Sequence, residues 1–249
     1  MLYLAGIPLF VIAFVFSMLG MGGSQLYIPV LFWLGMDFKT EAIPLGLLLN
    51  VATSVSAATT YIRKRLVSWP VALPFAIAML TMPPLGALVH AHLSTRPIVA
   101  LFALFTATAA VLMLSGWRPH HGAGLSSGQR VAVGIAGGGA LGFIVGLIGR
   151  GGGSFVVPLL YVCGLEAKAA AATSSVVVTG SAISGFLSHL PRAQIDWGPG
   201  IACVAAVALG GQLGSRLMAK KMKSRSIKTV FGSVLLGVAA ILAVQALRG

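Results

Sequence analysis

The sequence predicts an all-α polytopic membrane protein made of two inverted-topology repeats, each with about four long helices and one short broken or re-entrant segment. Three observations lead to this prediction. The 249 residues are 57% hydrophobic and 8% charged, with a mean hydropathy of +0.98, whereas a water-soluble domain has about 25% charged residues. Several apolar segments approach the roughly 20 residues of a spanning helix. A glycine-rich motif also occurs once in each half of the chain.

The charged residues are strongly unbalanced, with 17 Lys and Arg against 4 Asp and Glu. In a soluble protein the net charge of +13 would indicate a nucleic-acid partner. In a membrane protein the same excess is typical of loops that face the cytoplasm and its anionic lipids. We therefore expect the lipid bilayer as a partner, and no nucleic acid. Cys163 and Cys203 lie in apolar segments, which favours two packed thiols over a disulfide.

Apolar segments divide the chain into two similar halves, residues 1–117 and 131–249, joined by a polar linker at 118–130. Each half has a short second segment, and the count of complete spans is eight or ten depending on whether these short segments cross. The predicted segments are 2–19, 26–34, 42–62, 69–89 and 98–117 in the first half, and 131–148, 155–163, 167–190, 197–218 and 227–247 in the second.

Acidic residues are expected at helix starts rather than inside the membrane. Asp37, Glu41 and Glu166 precede long apolar segments, and Asp196 and Ser68 are predicted N-caps beside tryptophan anchors. No carboxylate lies at the middle of an apolar segment as a proton relay. The histidines show no metal-ligand spacing, and no nucleophile and base are paired. We therefore expect no metal, no cofactor and no enzymatic activity.

The distribution of positive charge predicts the topology. If each short segment crosses, or pairs with its neighbour as a re-entrant hairpin, most basic residues fall on one side, including Arg63–Arg65 and Lys220–Lys223. Lys39, Arg150 and Arg192 are among the few on the other side. The positive-inside rule then favours an odd number of crossings per half, so that the two repeats have opposite orientations and both termini are extracytoplasmic.

The glycine-rich motif directly precedes the short segment in each half. Pro29 and Pro158 follow the two copies at a constant offset of about 129 residues, which indicates an internal duplication. The first copy comprises Gly20, Met21, Gly22, Gly23, Ser24 and Gln25, and the second comprises Gly149, Arg150, Gly151, Gly152, Gly153 and Ser154.

Two half-length helices in inverted repeats would enter from opposite faces, with their N-termini converging near the bilayer midplane. Each N-terminus presents unpaired N–H groups and about half a positive charge, and glycine lets a ligand approach the backbone closely. This pattern favours an anion-binding site, although turns that only allow tight helix packing stay a second interpretation. The further candidate binding residues on the long segments are Asn50, Ser174, Ser175 and Gln212.

Paired Gly-x-Gly-Gly turns, each followed by a proline and a glycine in a basic two-half chain, resemble the TauE/SafE sulfite exporter family. The resemblance implies a bacterial inner-membrane transporter of small sulfur-containing anions such as sulfite or organosulfonates. It also implies that the glycines of both turns bind the substrate, with Pro29 and Pro158 as structural residues. Arg150 replaces Met21 and Gly153 replaces Ser24 at equivalent positions, so we expect an asymmetric site.

Other functions compatible with the sequence are a passive anion channel or uniporter, a carboxylate transporter and, less favoured, a membrane scaffold without a solute. A scaffold gives no reason to interrupt helices at mid-depth. The expected partners are a small anionic substrate and the lipid bilayer, with assembly into a homo-oligomer left open.

Overall fold

The computed structural model describes residues 5–90, 127–148, 153–162 and 164–223, together with scattered positions between 104 and 115 and between 226 and 240. The predicted linker and the predicted segments 98–117 and 227–247 lie largely outside these ranges. The principal helices are α1 (Gly6–Leu19), α2 (Ser24–Trp33), α3 (Ile43–Arg63), α4 (Trp69–Thr81), α5 (Pro83–His90), α6 (Ser127–Ile148), α7 (Gly153–Val162), α8 (Ala167–His189) and α9 (Trp197–Lys221).

Within the described residues, four helical stretches are long and apolar enough to cross a membrane: Phe38–Arg63, Trp69–Gly86, Ala167–Arg192 and Trp197–Lys221. This confirms the prediction of an all-helical polytopic membrane protein. The short second segment of each half is also helical, since α2 and α7 contain 10 residues each. A helix of that length extends only about 15 Å, half the thickness of the hydrocarbon core.

The predicted segment 69–89 contains the candidate span Trp69–Gly86, and this stretch is divided into two helices. Helix α4 ends at Thr81, and α5 begins at Pro83. Pro83 and Pro84 have no N–H group to donate to the preceding turn, so α4 cannot continue through them. The corresponding positions in the second half are Gln212 and Leu213, and α9 runs through them without interruption.

Of the predicted polar residues at helix starts, Asp37 and Asp196 make side-chain capping bonds, whereas Ser68 and Glu166 do not. Asp37 accepts hydrogen bonds from the N–H groups of Lys39 and Thr40, and its pKa is lowered chiefly by the Thr40 hydroxyl. Asp196 caps α9 through the Gly198 N–H (3.2 Å). Ser68 occupies the N-cap position of α4, but its side chain makes no capping bond.

Each half of the chain packs its first helix against the other half. Helix α1 packs along α9, and α6 packs along α4. At the repeat offset α1 corresponds to α6 and α9 to α4, so the same pairing occurs twice. The central contact is between α3 and α8, which also correspond to each other. The two halves therefore share one bundle.

Contacts at both ends of α3 and α8 give their relative direction. Before α3, Thr40 O accepts a hydrogen bond from the Gln194 N–H, which follows α8 (2.7 Å). Beyond the other end of α3, the Ser68 N–H donates to Thr173 Oγ1 near the start of α8 (3.0 Å). The two helices therefore run in opposite directions.

The first helix of each half runs parallel to the helix on which it packs. Gly6 and Gly214 of the α1–α9 pair face Ala206 and Phe14, which fixes that direction. In the α4–α6 pair, Gly134 faces Pro74 and Gly142 faces Met82. Helix α9 also runs parallel to α3, because Ser56 Oγ donates to Ala208 O (2.9 Å) and Ser215 Oγ donates to Thr60 Oγ1 (3.0 Å).

Close packing between α1 and α9 depends on glycine, which predicts an effect of Gly214→Ala. A Cβ at Gly214 would overlap Phe14 O and Ser17 Oγ. We expect the free energy of unfolding to fall by about 1–3 kcal/mol, measured by thermal melting of the detergent-purified protein. The control is Gly139→Ala on α6, where a Cβ has no neighbour within 4 Å, so that better helix propensity adds up to about 1 kcal/mol. Equal melting of the two variants would contradict close α1–α9 packing.

Candidate anion-binding site

Helix α1 ends in a tight glycine turn. The Gly20 and Met21 N–H groups donate to Ser17 O (3.2 Å) and Phe16 O (3.1 Å), which closes the last turn of α1. Gly20 and Gly22 have φ angles of 70° and 79°, in the left-handed region that favours glycine.

Helix α2 doubles back along α3 from this turn. The turn itself lies beside α3, because Gly22 faces Asn50, and further along α2 Ile28 packs on Gly46. Asn50 is halfway along the candidate span Phe38–Arg63. The turn at residues 20–23 therefore lies beside the middle of α3.

The glycines allow contacts that a side chain would prevent. A Cβ on Gly20 would overlap the Ala171 carbonyl of α8, and a Cβ on Gly22 would overlap the Asn50 amide. The Ser174 hydroxyl of α8 also donates to Gly20 O (2.8 Å). A helix from the second half thus closes the first turn directly.

Two tyrosines that the sequence reading missed hold this region in place. The Tyr61 hydroxyl donates to Ser17 O (2.7 Å) at the end of α1. Tyr27 lies against Gly23, and its hydroxyl is 2.8 Å from Thr53 Oγ1. A signal for Tyr61 was available, because Asn50, Thr53 and Tyr61 are spaced on one face of α3.

Two buried polar side chains beside the turn have no hydrogen-bond partner among the described residues. Asn50 is 0% exposed with both amide heavy atoms unpaired, and Ser24 is 1% exposed with its hydroxyl unpaired. Leaving a buried polar group unpaired costs about 1–3 kcal/mol. The N-terminus of α2, where the Leu26 and Tyr27 N–H groups donate to Gly23 O (2.9 Å), is also partly positive. The arrangement gathers hydrogen-bond donors at one buried point, which suits an oxyanion.

The other predicted site residues within the described ranges have contacts of other kinds. Ser175 Oγ donates to Ala172 O on its own helix (2.7 Å), and Gln25 belongs to the first turn of α2. The Gln212 amide joins α9 to α3 by donating to Ser56 Oγ (3.1 Å) and accepting from Thr60 Oγ1 (3.1 Å), further along α3 than the turn. Pro29 and Pro158 lie inside α2 and α7.

The second glycine turn falls mostly outside the described residues, which include neither Gly149, Arg150, Gly151 nor Gly152. Gly153 and Ser154 are the first two residues of α7. The structure therefore brings together one set of predicted residues around the first turn: Gly20, Gly22, Gly23, Ser24, Asn50 and Ser174.

Within the described ranges, no group of three or more His, Cys, Asp or Glu side chains could hold a metal ion. The four acidic residues are found at or beside helix starts. Cys203 is buried and forms no disulfide within the described part of the chain, whereas Cys163 is outside the described residues.

The close approach of Gly20 to α8 predicts a difference between two glycine variants. Gly20→Ala and Gly35→Ala both place alanine at a positive φ, 70° and 91°, which costs about 1–2 kcal/mol. A Cβ at Gly35 has no neighbour within 4 Å, whereas one at Gly20 overlaps the Ala171 backbone. We therefore expect Gly20→Ala to lower the free energy of unfolding by about 1–3 kcal/mol more, measured by thermal melting. Coincident melting curves would mean that the turn does not touch α8.

A family model described as "Sulfite exporter TauE/SafE" matches residues 5–242, nearly the whole chain. The chain is also 27% identical over 244 residues to the probable membrane transporter protein YunE of Bacillus subtilis, covering 88% of this chain and 89% of that protein. It is 28% identical to the probable membrane transporter protein y4hK of Sinorhizobium fredii, covering 94% and 95%.

An archaeal relative, the probable membrane transporter protein MJ0441 of Methanocaldococcus jannaschii, is 26% identical over 191 residues, covering 73% of this chain and 69% of that protein. No solved structure matches the chain. The extent of the family match agrees with the paired glycine turns and the membrane helices described above. The chain belongs to the sulfite exporter TauE/SafE family of membrane transporters.

Proposed function

We propose that the protein is a secondary transporter that exports small sulfur-containing anions, such as sulfite or organosulfonates, across the bacterial cytoplasmic membrane. The observation on which this proposal rests is the first glycine turn. It opens a half-length helix at mid-depth beside two buried, unpaired polar groups, Ser24 and Asn50. The sulfur-containing substrate comes from the family's name, and the relatives' names support transport.

The proposed architecture is a pair of inverted repeats, residues 1–117 and 131–249, joined by the linker 118–130. It is supported by the helix directions: α1, α3 and α9 point one way, whereas α4, α6 and α8 point the other. Corresponding helices of the two halves therefore have opposite orientations. Inverted repeats of this kind place a substrate site at their interface near the midplane.

We place the second half of the site at residues 149–154. By the same repeat, α7 would approach from the opposite face, so that its N-terminus would oppose that of α2. Arg150 would add a full positive charge that the first turn lacks. An intramembrane arginine is costly unless it has a partner, and an anionic substrate would be that partner.

The proposed cytoplasmic end of the bundle is the one at which basic residues collect. It holds Arg63–Arg65 at the end of α3 and Lys220–Lys221 at the end of α9. Lys168 at the start of α8 lies there too, because its Nζ donates to Ala219 O (2.7 Å). This orientation follows the positive-inside rule.

The variant Asn50→Leu tests whether Asn50 binds the anion, because it should raise the stability of the protein and lower its transport rate. Asn50→Leu keeps a similar side-chain shape and removes both unpaired polar groups, so we expect the anion-free protein to melt at a higher temperature. The same variant should lose sulfite flux in proteoliposomes by at least about tenfold, because the donor to the anion is gone.

The matched control is Ser175→Ala, which removes a hydroxyl that bonds only its own helix and should leave flux unchanged. A structural role for Asn50 would give the reverse result, a lower melting temperature with the flux retained. If the wild-type protein transported none of the tested anions, a membrane scaffold without a solute would be favoured.

A passive anion uniporter is the second candidate function. It is favoured by the acidic residues, which are placed at helix starts rather than where a proton relay would need them. A cytoplasm-negative membrane potential would itself drive anions outward.

The driving force separates these two functions. In proteoliposomes with the potential held constant, we expect proton-coupled efflux of sulfite to slow when the proton gradient is collapsed with an ionophore. The measurement is the initial efflux rate with and without the gradient. A rate that follows the potential alone would assign the protein as a uniporter. A panel that includes small carboxylates in the same assay tests whether sulfur chemistry is required.

A further inference from the structure

The side chain of Asn50 has both a hydrogen-bond donor group and an acceptor, whereas an oxyanion needs only donors. Its amide nitrogen can donate two hydrogen bonds, whereas its oxygen can only accept. Both atoms are buried and unpaired within the part of the chain that the structure describes, and the amide lies directly against Gly22. Turning the amide over exchanges the two atoms but leaves one donor group and one acceptor unpaired.

An oxyanion without a proton can satisfy only some of these groups. The Ser24 hydroxyl and the Asn50 NH₂ group can both donate to its oxygens. The Asn50 oxygen would stay unpaired next to negative charge. A ligand that also carries a donor would pair with that oxygen, and a site built around such a pairing discriminates strongly against analogues that lack it.

We propose that the anion bound at this turn carries its own hydrogen-bond donor, an O–H or N–H group beside its oxyanion head, and that Asn50 Oδ1 accepts from it. Protonated oxyanions and sulfonates with an adjacent hydroxyl or ammonium group share this chemistry. This inference rests on the proposed transport function and specifies the substrate class at the same site.

The test compares two permanent monoanions that differ by one hydroxyl, ethanesulfonate and 2-hydroxyethanesulfonate. Each is titrated against the detergent-purified full-length protein, and the rise in melting temperature gives its relative affinity by mass action. In the wild-type protein 2-hydroxyethanesulfonate should bind about tenfold more tightly, the difference expected when a buried acceptor gains its partner. In Asn50→Leu this preference should vanish.

Ser24→Ala is the second variant, because it removes a donor to the oxyanion head. It should lower the affinity for both sulfonates by a similar factor and leave the ratio of the two affinities unchanged. This variant also tests the inference if Asn50→Leu does not fold.

The outcomes distinguish the inference from the proposed function. Equal affinity for the two sulfonates in the wild-type protein overturns the inference and leaves anion transport standing. A preference that persists in a folded Asn50→Leu protein overturns the assignment to Asn50. Absence of binding by either sulfonate, by sulfite and by small carboxylates overturns both.

A pH titration distinguishes the two candidate ligand classes, protonated oxyanions and sulfonates that carry a hydroxyl or ammonium group. Sulfite loses its proton as the pH rises, so its affinity should fall across that ionisation if the protonated oxyanion is the species bound. The affinity of ethanesulfonate, which does not titrate there, serves as the reference. Parallel pH profiles for the two ligands would exclude the protonated oxyanion and leave hydroxyl- or ammonium-bearing sulfonates as the substrate class.

Discussion

A backbone turn buried between helices has no water to bond its polar groups, and this constraint explains most contacts around residues 20–24. The end of α1 is closed from three sides. Its own N–H groups cap it, the Tyr61 hydroxyl donates to Ser17 O, and the Ser174 hydroxyl of α8 donates to Gly20 O. Glycine is required at Gly20 because only then can α8 approach near enough to supply that bond.

These contacts treat acceptors and donors differently. The carbonyl groups at the end of α1 receive hydrogen bonds from the protein. The Ser24 hydroxyl and the Asn50 amide, by contrast, are buried without a partner among the described residues. The N-terminus of α2 adds a positive potential. These unpaired groups, rather than the presence of glycine alone, favour our proposal of an anion site over a turn that only allows tight packing.

Much of this arrangement could be predicted from the sequence because the repeat is regular. The constant offset between Gly20 and Gly149 located both half-length helices to within two residues at each end. The sequence could not say which of the adjacent Ser174 and Ser175 faces the turn, because that depends on how α8 is rotated by its packing. It also gave no sign that the amide of Gln212 bonds across to α3, since helix pairing is a long-range property.

The packing of the first glycine turn against a helix of the second half bears on the proposed transport cycle. The first turn is closed by α8 of the second half, through a single hydroxyl bond and one close backbone contact at Ala171. In an alternating-access cycle the repeats must move relative to each other. A contact made by glycine, alanine and serine presents no large side chain that must be withdrawn before α8 can slide. The residues that bring the halves together are therefore also those that least oppose their separation, which is what a site at a moving interface requires.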